Sequence, residues 1–308
     1  MASLISSDTA QKIAAIVGEK GLLLDEPLSN HTTFKIGGPA DALVLPTNPE
    51  QIQQVCALCR EEGLPLRFMG LGSNILVSDN GVRGVIVKLA GNFAAIQVEG
   101  RQITAQAGAS NEQVAKAALD AGLAGFEFAS GIPGSIGGAA IMNAGAYEGE
   151  FKDVATSLTC LDDEGALVEV SAEEANWGYR HSMMMDKGYV VLEARLALTP
   201  DAPQDIQARM DDLRERRESK QPLEMPSAGS TFKRPAGYFA GKLIQDAGLK
   251  GYTVGGAQIS TKHSGFVVNT GTASAADVIQ LIQDVHDRIF EREGVHMEPE
   301  VRMWGFDD

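Results

Sequence analysis

The stretch SGIPGSIGGAAIMNAGAY, residues 130–147, decides the fold. Gly131, Gly134, Gly137, Gly138 and Gly145 are interleaved with Ile132, Pro133, Ile136, Ile141, Met142 and Tyr147. A flexible linker would carry Ser, Gly and charge without branched apolar side chains. Glycine at this density between apolar anchors predicts a backbone that turns sharply and lies close against something large. Free amides in such a loop suit carbonyl and phosphate oxygens, so a cofactor cradle is the functional reading. A tight structural turn is the alternative.

A second glycine-containing loop lies upstream in GLGSNILVSD, where Gly70 to Asn74 follows the apolar run Leu66 to Met69. Neither loop matches G-x-G-x-x-G opening a long helix with an acidic residue about twenty positions on, which leaves a Rossmann reading weak, and no Gly-Lys-Ser/Thr occurs, so neither is a Walker A loop. Two separated loops that supply amides predict an extended ligand, such as a dinucleotide, held between two α+β units.

The flanking pattern supports such units. Residues 1–30 read as a helical lead-in ending at Glu26-Pro27, and residues 31–93 as a small βαββ unit. Within it Asn48-Pro49-Glu50-Gln51 is a helix start, with an N-cap, proline at N1 and Gln at the capping-box position. A second unit, 94–199, has hairpins across Glu99-Gly100 and Asp163-Glu164-Gly165. Its helix is capped by Ser110 with Gln113 and carries the stripe Val114, Ala117, Ala118, Ala121. A third unit, 200–308, opens at Pro200 and Pro203 and contains a long helix, Ser274 to Glu293. The core stripe of that helix is Val278, Leu281, Ile282, Val285, Ile289 and Phe290.

At 308 residues with a formal charge of −15, the chain is long enough for two or three domains, and general binding to nucleic acid or anionic membrane is disfavoured. No run of 18 apolar residues or basic leader is present, so neither membrane insertion nor secretion is expected. Cys56, Cys59 and Cys160 make an odd count that fits a reducing compartment, the cytoplasm. Cys56 and Cys59 form a C-x-x-C, but with Ile52 and Val55 they fall at i, i+3, i+4 and i+7, the buried face of a helix. No second pair or nearby His completes a metal set.

Taken in order, GLGSNILVSD, SGIPGSIGGAAIMNAGAYEGE, GYRHS, SAGSTFKRPAGYFAGKLIQDAGLKG and EPEVRMWG resemble the UDP-N-acetylenolpyruvoylglucosamine reductases (MurB), flavoenzymes of peptidoglycan synthesis. The likeness runs from about Asn30 to Gly305. It implies an α+β fold: a two-subdomain FAD-binding fold of the vanillyl-alcohol-oxidase (PCMH) type, 31–93 and 94–199, with a C-terminal α+β substrate-binding domain, 200–308. It implies reduction of UDP-N-acetylglucosamine enolpyruvate by NADPH through non-covalent FAD, since no His or Cys lies in either glycine loop. FAD would rest on Gly70, Leu71, Gly72, Ser73, Asn74 and Ile75 and on Gly131, Ile132, Pro133, Gly134, Ser135, Gly138 and Asn143. Arg217 and Arg302 would approach the flavin, where positive charge favours the reduced anion.

By the same resemblance Ser230 is the proton donor, while Arg180 and Glu300 polarise the substrate carboxylate. A serine hydroxyl is a poor acid in water and works only when aimed at a strongly basic carbon. A guanidinium suits a carboxylate dianion, and Glu300 would have to hold or share a proton. Glu298, two residues away, would face the same side of a strand and is the alternative. Lys220, Tyr238, Lys242 and His263 are the candidate substrate ligands. The short segment between Arg180 and Ser230 lacks an inserted tyrosine-bearing loop, which resembles the second, loop-lacking subclass of the family.

Overall fold

The computed structural model describes residues 3–306; Met1 and Ala2 of the 1–30 lead-in, and Asp307 and Asp308 of the 200–308 unit, lie outside the described residues. The lead-in is α-helical over Ser7–Val17, where Ser6 Oγ caps Thr9 N and Gly18, at φ 78°, closes the helix, with single 3-10 turns at Glu19–Gly21 and Leu28–Asn30. Leu22–Pro27, expected within the helical segment, is instead an edge strand antiparallel to Pro39–Val44. Its leucine run is compatible with helix or strand, and the partner strand decides between them.

Pro39–Val44 continues parallel to Val82–Lys88, which is parallel to Leu66–Met69. The helix Pro49–Glu61 starts at Asn48, whose side chain accepts from Gln51 N at 2.9 Å. Gln51 Oε1 reaches past the cap to Thr47 N at 2.8 Å. Ile52, Val55 and Cys59 are buried as the periodicity predicts, while Cys56 is half-buried.

The second sheet is antiparallel, in the order Leu167–Ser171, Ala155–Leu161, Val190–Ala197, Gln102–Gln106, Ile96–Glu99. Ser110 and Gln113 exchange both capping-box bonds at the start of Asn111–Asp120. That helix buries Val114, Ala115 and Ala118, so the stripe is turned slightly from the expected one and Ala121 is the exposed C-cap. The glycine-rich stretch runs under this sheet as a short helix, Ile136–Ile141. The polar helix Pro203–Lys220 docks beside it: Arg209 donates through Nε and Nη2 to Glu127 Oε1, at 3.0 and 2.8 Å.

The third sheet, Ser227–Ser230, Phe266–Asn269, Ala257–Ile259, Thr253–Val254, is antiparallel and packs on Ala275–Glu293. Val278, Leu281, Ile282, Val285 and Ile289 are buried there. Phe290, expected inward, is 44% exposed: one position past buried Ile289, it turns to the flank of the helix and stacks its ring on His286.

This unit is joined intimately to the first. Phe34, Ile36 and Leu76 of the first unit belong to the third unit's core. Burying a side chain such as Leu76 stabilises by about 1.5–3 kcal/mol. Asp79 accepts from Ala275 N and Ala276 N at 2.8 and 3.1 Å, capping the long helix from across the interface. Arg302–Trp304 adds to Ile75–Val77 as a parallel pair. Among the described residues no helix is long and apolar enough to cross a membrane.

Candidate active site

A cleft of about 830 Å³ opens where the three units meet, toward the upper end of the roughly 300–1,000 Å³ typical of small-molecule sites. Phe68 to Ile75 forms one wall, Ile132 to Ser135 and Ala144 to Ala146 another, and Leu223 to Ser230 the third. The two glycine loops touch across it. A Cβ on Gly70 would lie 2.1 Å from Ser135 Oγ, and one on Gly134 would lie 3.3 Å from Ser73 Oγ. Gly134 also has φ 152°, a conformation that L side chains rarely adopt.

Ser135 Oγ and Asn111 Oδ1 are buried without hydrogen-bond partners, and both residues line the cleft. A polar group orphaned in this way costs about 1–3 kcal/mol unless a ligand satisfies it. A hydroxyl donor and an amide acceptor facing a glycine-lined groove fit the phosphate and hydroxyl groups of a dinucleotide such as FAD.

Charge is concentrated here against the net acidity of the chain: Lys35, Arg180, Arg217 and Arg302 line the cleft, opposed by Glu224 and Glu300. Arg217 is 7% exposed and donates through Nη1 to Gly131 O at 2.5 Å, with the Tyr147 ring 5.9 Å away. Burial pushes its guanidinium below the ordinary value. Arg302 points Nη2 at Met185 Sδ, 2.7 Å away.

Arg180, Ser230 and Glu300 come from three separate segments and all line the cleft. Arg180 Nε donates to Glu300 Oε1 at 2.6 Å, with the side chains 24% and 10% exposed. Glu300 is held through its backbone, its N–H donating to Thr231 O at 2.7 Å and its carbonyl accepting from Asn74 Nδ2 at 3.3 Å. The first bond ties the Glu300 backbone to Thr231, the residue that follows Ser230 in the chain. Ser230 ends the strand Ser227–Ser230, exposed to the cleft.

Strand alternation does not apply to Glu298 and Glu300, because the strand begins only at Arg302 and Pro299 makes an isolated bridge to Phe232. Glu298 faces a separate hollow and pairs with Lys233 at 2.9 Å, which holds its carboxyl below the usual 4.5.

Of the loop residues expected at the cofactor, Gly131 and Asn143 are outside the lining. Gly131 presents its carbonyl to Arg217. Asn143, 1% exposed, spends its amide on Glu150, Gly178 and Lys152. The expected substrate ligands are also outside the lining. Lys220 ends its helix outside the lining, and Lys242 pairs with Asp246 one turn on, at 2.7 Å. Tyr238 lines the hollow of Glu298, and His263 packs edge-on against Phe266 at 5.0 Å. Lys35, Asn111 and Glu224 are lining residues that sequence reasoning missed, and Lys35 is the cation among them. It lies at φ 55° between buried Phe34 and Ile36, and its only sequence signal is a lone cation inside an apolar run before Gly37-Gly38.

Two family models match the chain: an FAD-binding domain over residues 40–171 and the C-terminal domain of UDP-N-acetylenolpyruvoylglucosamine reductase over residues 221–304. A UDP-N-acetylenolpyruvoylglucosamine reductase of Clostridium perfringens is 52% identical over 289 residues, spanning 94% of this chain and 95% of the relative. Its counterpart in Caldanaerobacter subterraneus is 48% identical over 294 residues, spanning 96% and 97%. The crystal structure of the Thermus caldophilus enzyme superposes with TM-score 0.79 at 36% identity, covering 92% of this chain and 98% of that one. A 4-ethylphenol oxidase from Gulosibacter chungangensis, at TM-score 0.50 and 14% identity over 96% of this chain and 66% of that one, shares the fold alone.

Proposed function

The chain belongs to the UDP-N-acetylenolpyruvoylglucosamine reductase family, and from that premise we propose that it reduces UDP-N-acetylglucosamine enolpyruvate to UDP-N-acetylmuramate with FAD and NADPH, in the cytoplasm. The division of labour would be FAD binding by 31–93 and 94–199 and substrate binding by 200–308, in the loop-lacking subclass. The observation that carries the reading is the convergence of Arg180, Glu300 and Ser230, from three separate segments, on one cleft walled by both glycine loops.

When bound, FAD supplies two-electron hydride chemistry. Ser135, Asn111 and the Gly70–Asn74 loop would hold it, with Arg217 and Arg302 at its charged edges. Because Glu300 occupies the Nε edge of Arg180, the two η-nitrogens are left to grip the enolpyruvyl carboxylate as a fork. Negative charge that develops on that carboxylate as hydride reaches the methylene carbon is met by the guanidinium, which Glu300 orients through Nε. Ser230 then gives its proton to the adjacent carbon, placed by the strand that ends at it.

Anaerobic titration tests this. The yellow protein should bleach with NADPH and recolour on addition of the enolpyruvyl sugar nucleotide; recolouring by oxygen alone would make it an oxidase and sink the assignment. Ser230→Ala should leave bleaching nearly intact and slow recolouring by about 10²–10⁴-fold. Equal damage to both halves would mean that Ser230 serves the fold or the flavin.

A further inference from the structure

Arg180 occupies a left-handed conformation, φ 53°, in the turn Tyr179-Arg180 that Gly178 and His181 close with Gly178 N donating to His181 O at 3.1 Å. A non-glycine residue persists there only when its surroundings over-determine it. The bond to Glu300 secures the tip of a long flexible side chain and leaves the backbone unconstrained. That constraint comes from behind. Trp177 Nε1 donates to Ala140 O at 2.7 Å, Asn143 Nδ2 to Gly178 O at 3.1 Å, and Ser182 Oγ to Ile141 O at 2.8 Å. Ser182 is fully buried and Asn143 is 1% exposed, so these bonds are shielded from competing water.

All three bonds involve residues on or just after the short helix Ile136–Ile141, whose Gly138, Ala139 and Ile141 line the cleft. Asn143 extends the brace, its Oδ1 accepting from Lys152 N at 3.0 Å and its Nδ2 also reaching Glu150 Oε2 at 3.1 Å. We propose that Asn143, Trp177 and Ser182 are positioning residues that fasten the Arg180 turn to the back of the glycine-rich segment. The element that cradles the cofactor thereby also sets the guanidinium that meets the substrate carboxylate. The proposal rests on the reading of Arg180 given above.

Trp177→Phe keeps an aromatic ring toward Phe151, now edge-on at 5.9 Å, while removing the N–H donor along with part of the indole; Ser182→Ala deletes only the hydroxyl. In the FAD-loaded double variant, anaerobic bleaching by NADPH should stay within about twofold of the parent. Recolouring by the enolpyruvyl sugar nucleotide should slow on the order of 10- to 100-fold, the loss expected of a catalytic group displaced by about an ångström. In an Arg180→Ala background the same pair should cause no further slowing, since it acts through that side chain. Independently of turnover, amide exchange at Tyr179 to His181 and tryptic cleavage after Arg180 should rise, with exchange in Ile136–Ile141 unchanged. Unchanged recolouring with unchanged cleavage, equal slowing of both halves, or a full extra loss in the Arg180→Ala background would each overturn the proposal. If the double variant loses flavin, the two single variants are read in the same way. If the parent itself fails to recolour, the reading of the reaction falls, while exchange and cleavage still decide the brace.

Discussion

Replacing Gly70 with alanine places a methyl group against the hydroxyl of Ser135. The new Cβ would lie 2.1 Å from Ser135 Oγ and 3.2 Å from Ser135 Cβ, and Ser135, 2% exposed, has little room to retreat. Gly70 is not among the positive-φ glycines, so the substitution probes packing and not backbone strain. Overpacking of this kind costs about 1–3 kcal/mol, and it would separate the two glycine loops. At about 2–4 °C per kcal/mol, the melting temperature should fall by several degrees, and the protein should purify with little flavin. Ser135→Ala is the discriminating partner. It removes the 2.1 Å contact and leaves the 3.2 Å one, which a shift of a few tenths of an ångström relieves. The double variant should therefore melt like Ser135→Ala alone. Its affinity for FAD should stay low, because a lost hydrogen bond to an anionic ligand costs about 1.5–3 kcal/mol, or about 10- to 100-fold in Kd. Calorimetry with and without excess FAD, together with quenching of flavin fluorescence, reads both quantities. Parental melting and binding in Gly70→Ala, or no rescue of melting by Ser135→Ala, would refute the picture of two loops in contact.

Further outcomes follow from single environments. Burial pushes the Cys56 thiol up to about 11 and those of Cys59 and Cys160 up to about 12, so a thiol reagent at about pH 8 should react slowly with the native protein and release three thiols only on denaturation. Rapid native labelling would contradict that burial. Burial also holds the His263 imidazole below 6.5, so the unfolded chain takes up a proton that the native one resists. Stability should fall as pH drops through about 6.5, and His263→Gln should flatten that part of the denaturation profile. Asp79→Ala removes the acceptors of Ala275 N and Ala276 N and should cost about 1–2 kcal/mol by denaturant midpoint; an unchanged midpoint would show that the long helix does not need its cap from the first unit.

What the sequence made legible is what local chemistry decides. Asn48 and Ser110 cap helices where their spacing says, and Glu99-Gly100 turns a hairpin. Leu22–Pro27 was misread because its leucines suit either state until Pro39–Val44 is known to lie alongside. Phe290 was misread because its apolar side chain was counted into a stripe from which it lies about a quarter-turn away, next to buried Ile289. In the site, the glycine loops announced themselves by composition, whereas Arg180, Ser230 and Glu300 were singled out by the family motifs and not by spacing. Asn143 sits within the glycine motif but turns away from the cleft, since the direction of a side chain at φ 42° is not written in its neighbours. Lys242 and Tyr238 follow the serine motif in the chain yet neither lines the cleft: Tyr238 borders the hollow of Glu298, and Lys242 pairs with Asp246.

The parallel pairing of Arg302–Trp304 with Ile75–Val77 bears on synthesis at the ribosome. The first glycine loop emerges early, but the strand that follows it has no neighbour on that side until more than two hundred further residues have been translated, and Leu76 lies in a core built largely from the third unit. A nascent chain halted before residue 302 would present an open strand edge and bare apolar surface just where the cofactor is to bind, a state prone to holdase capture and aggregation. Flavin loading is therefore expected to follow release of the finished chain rather than accompany its growth.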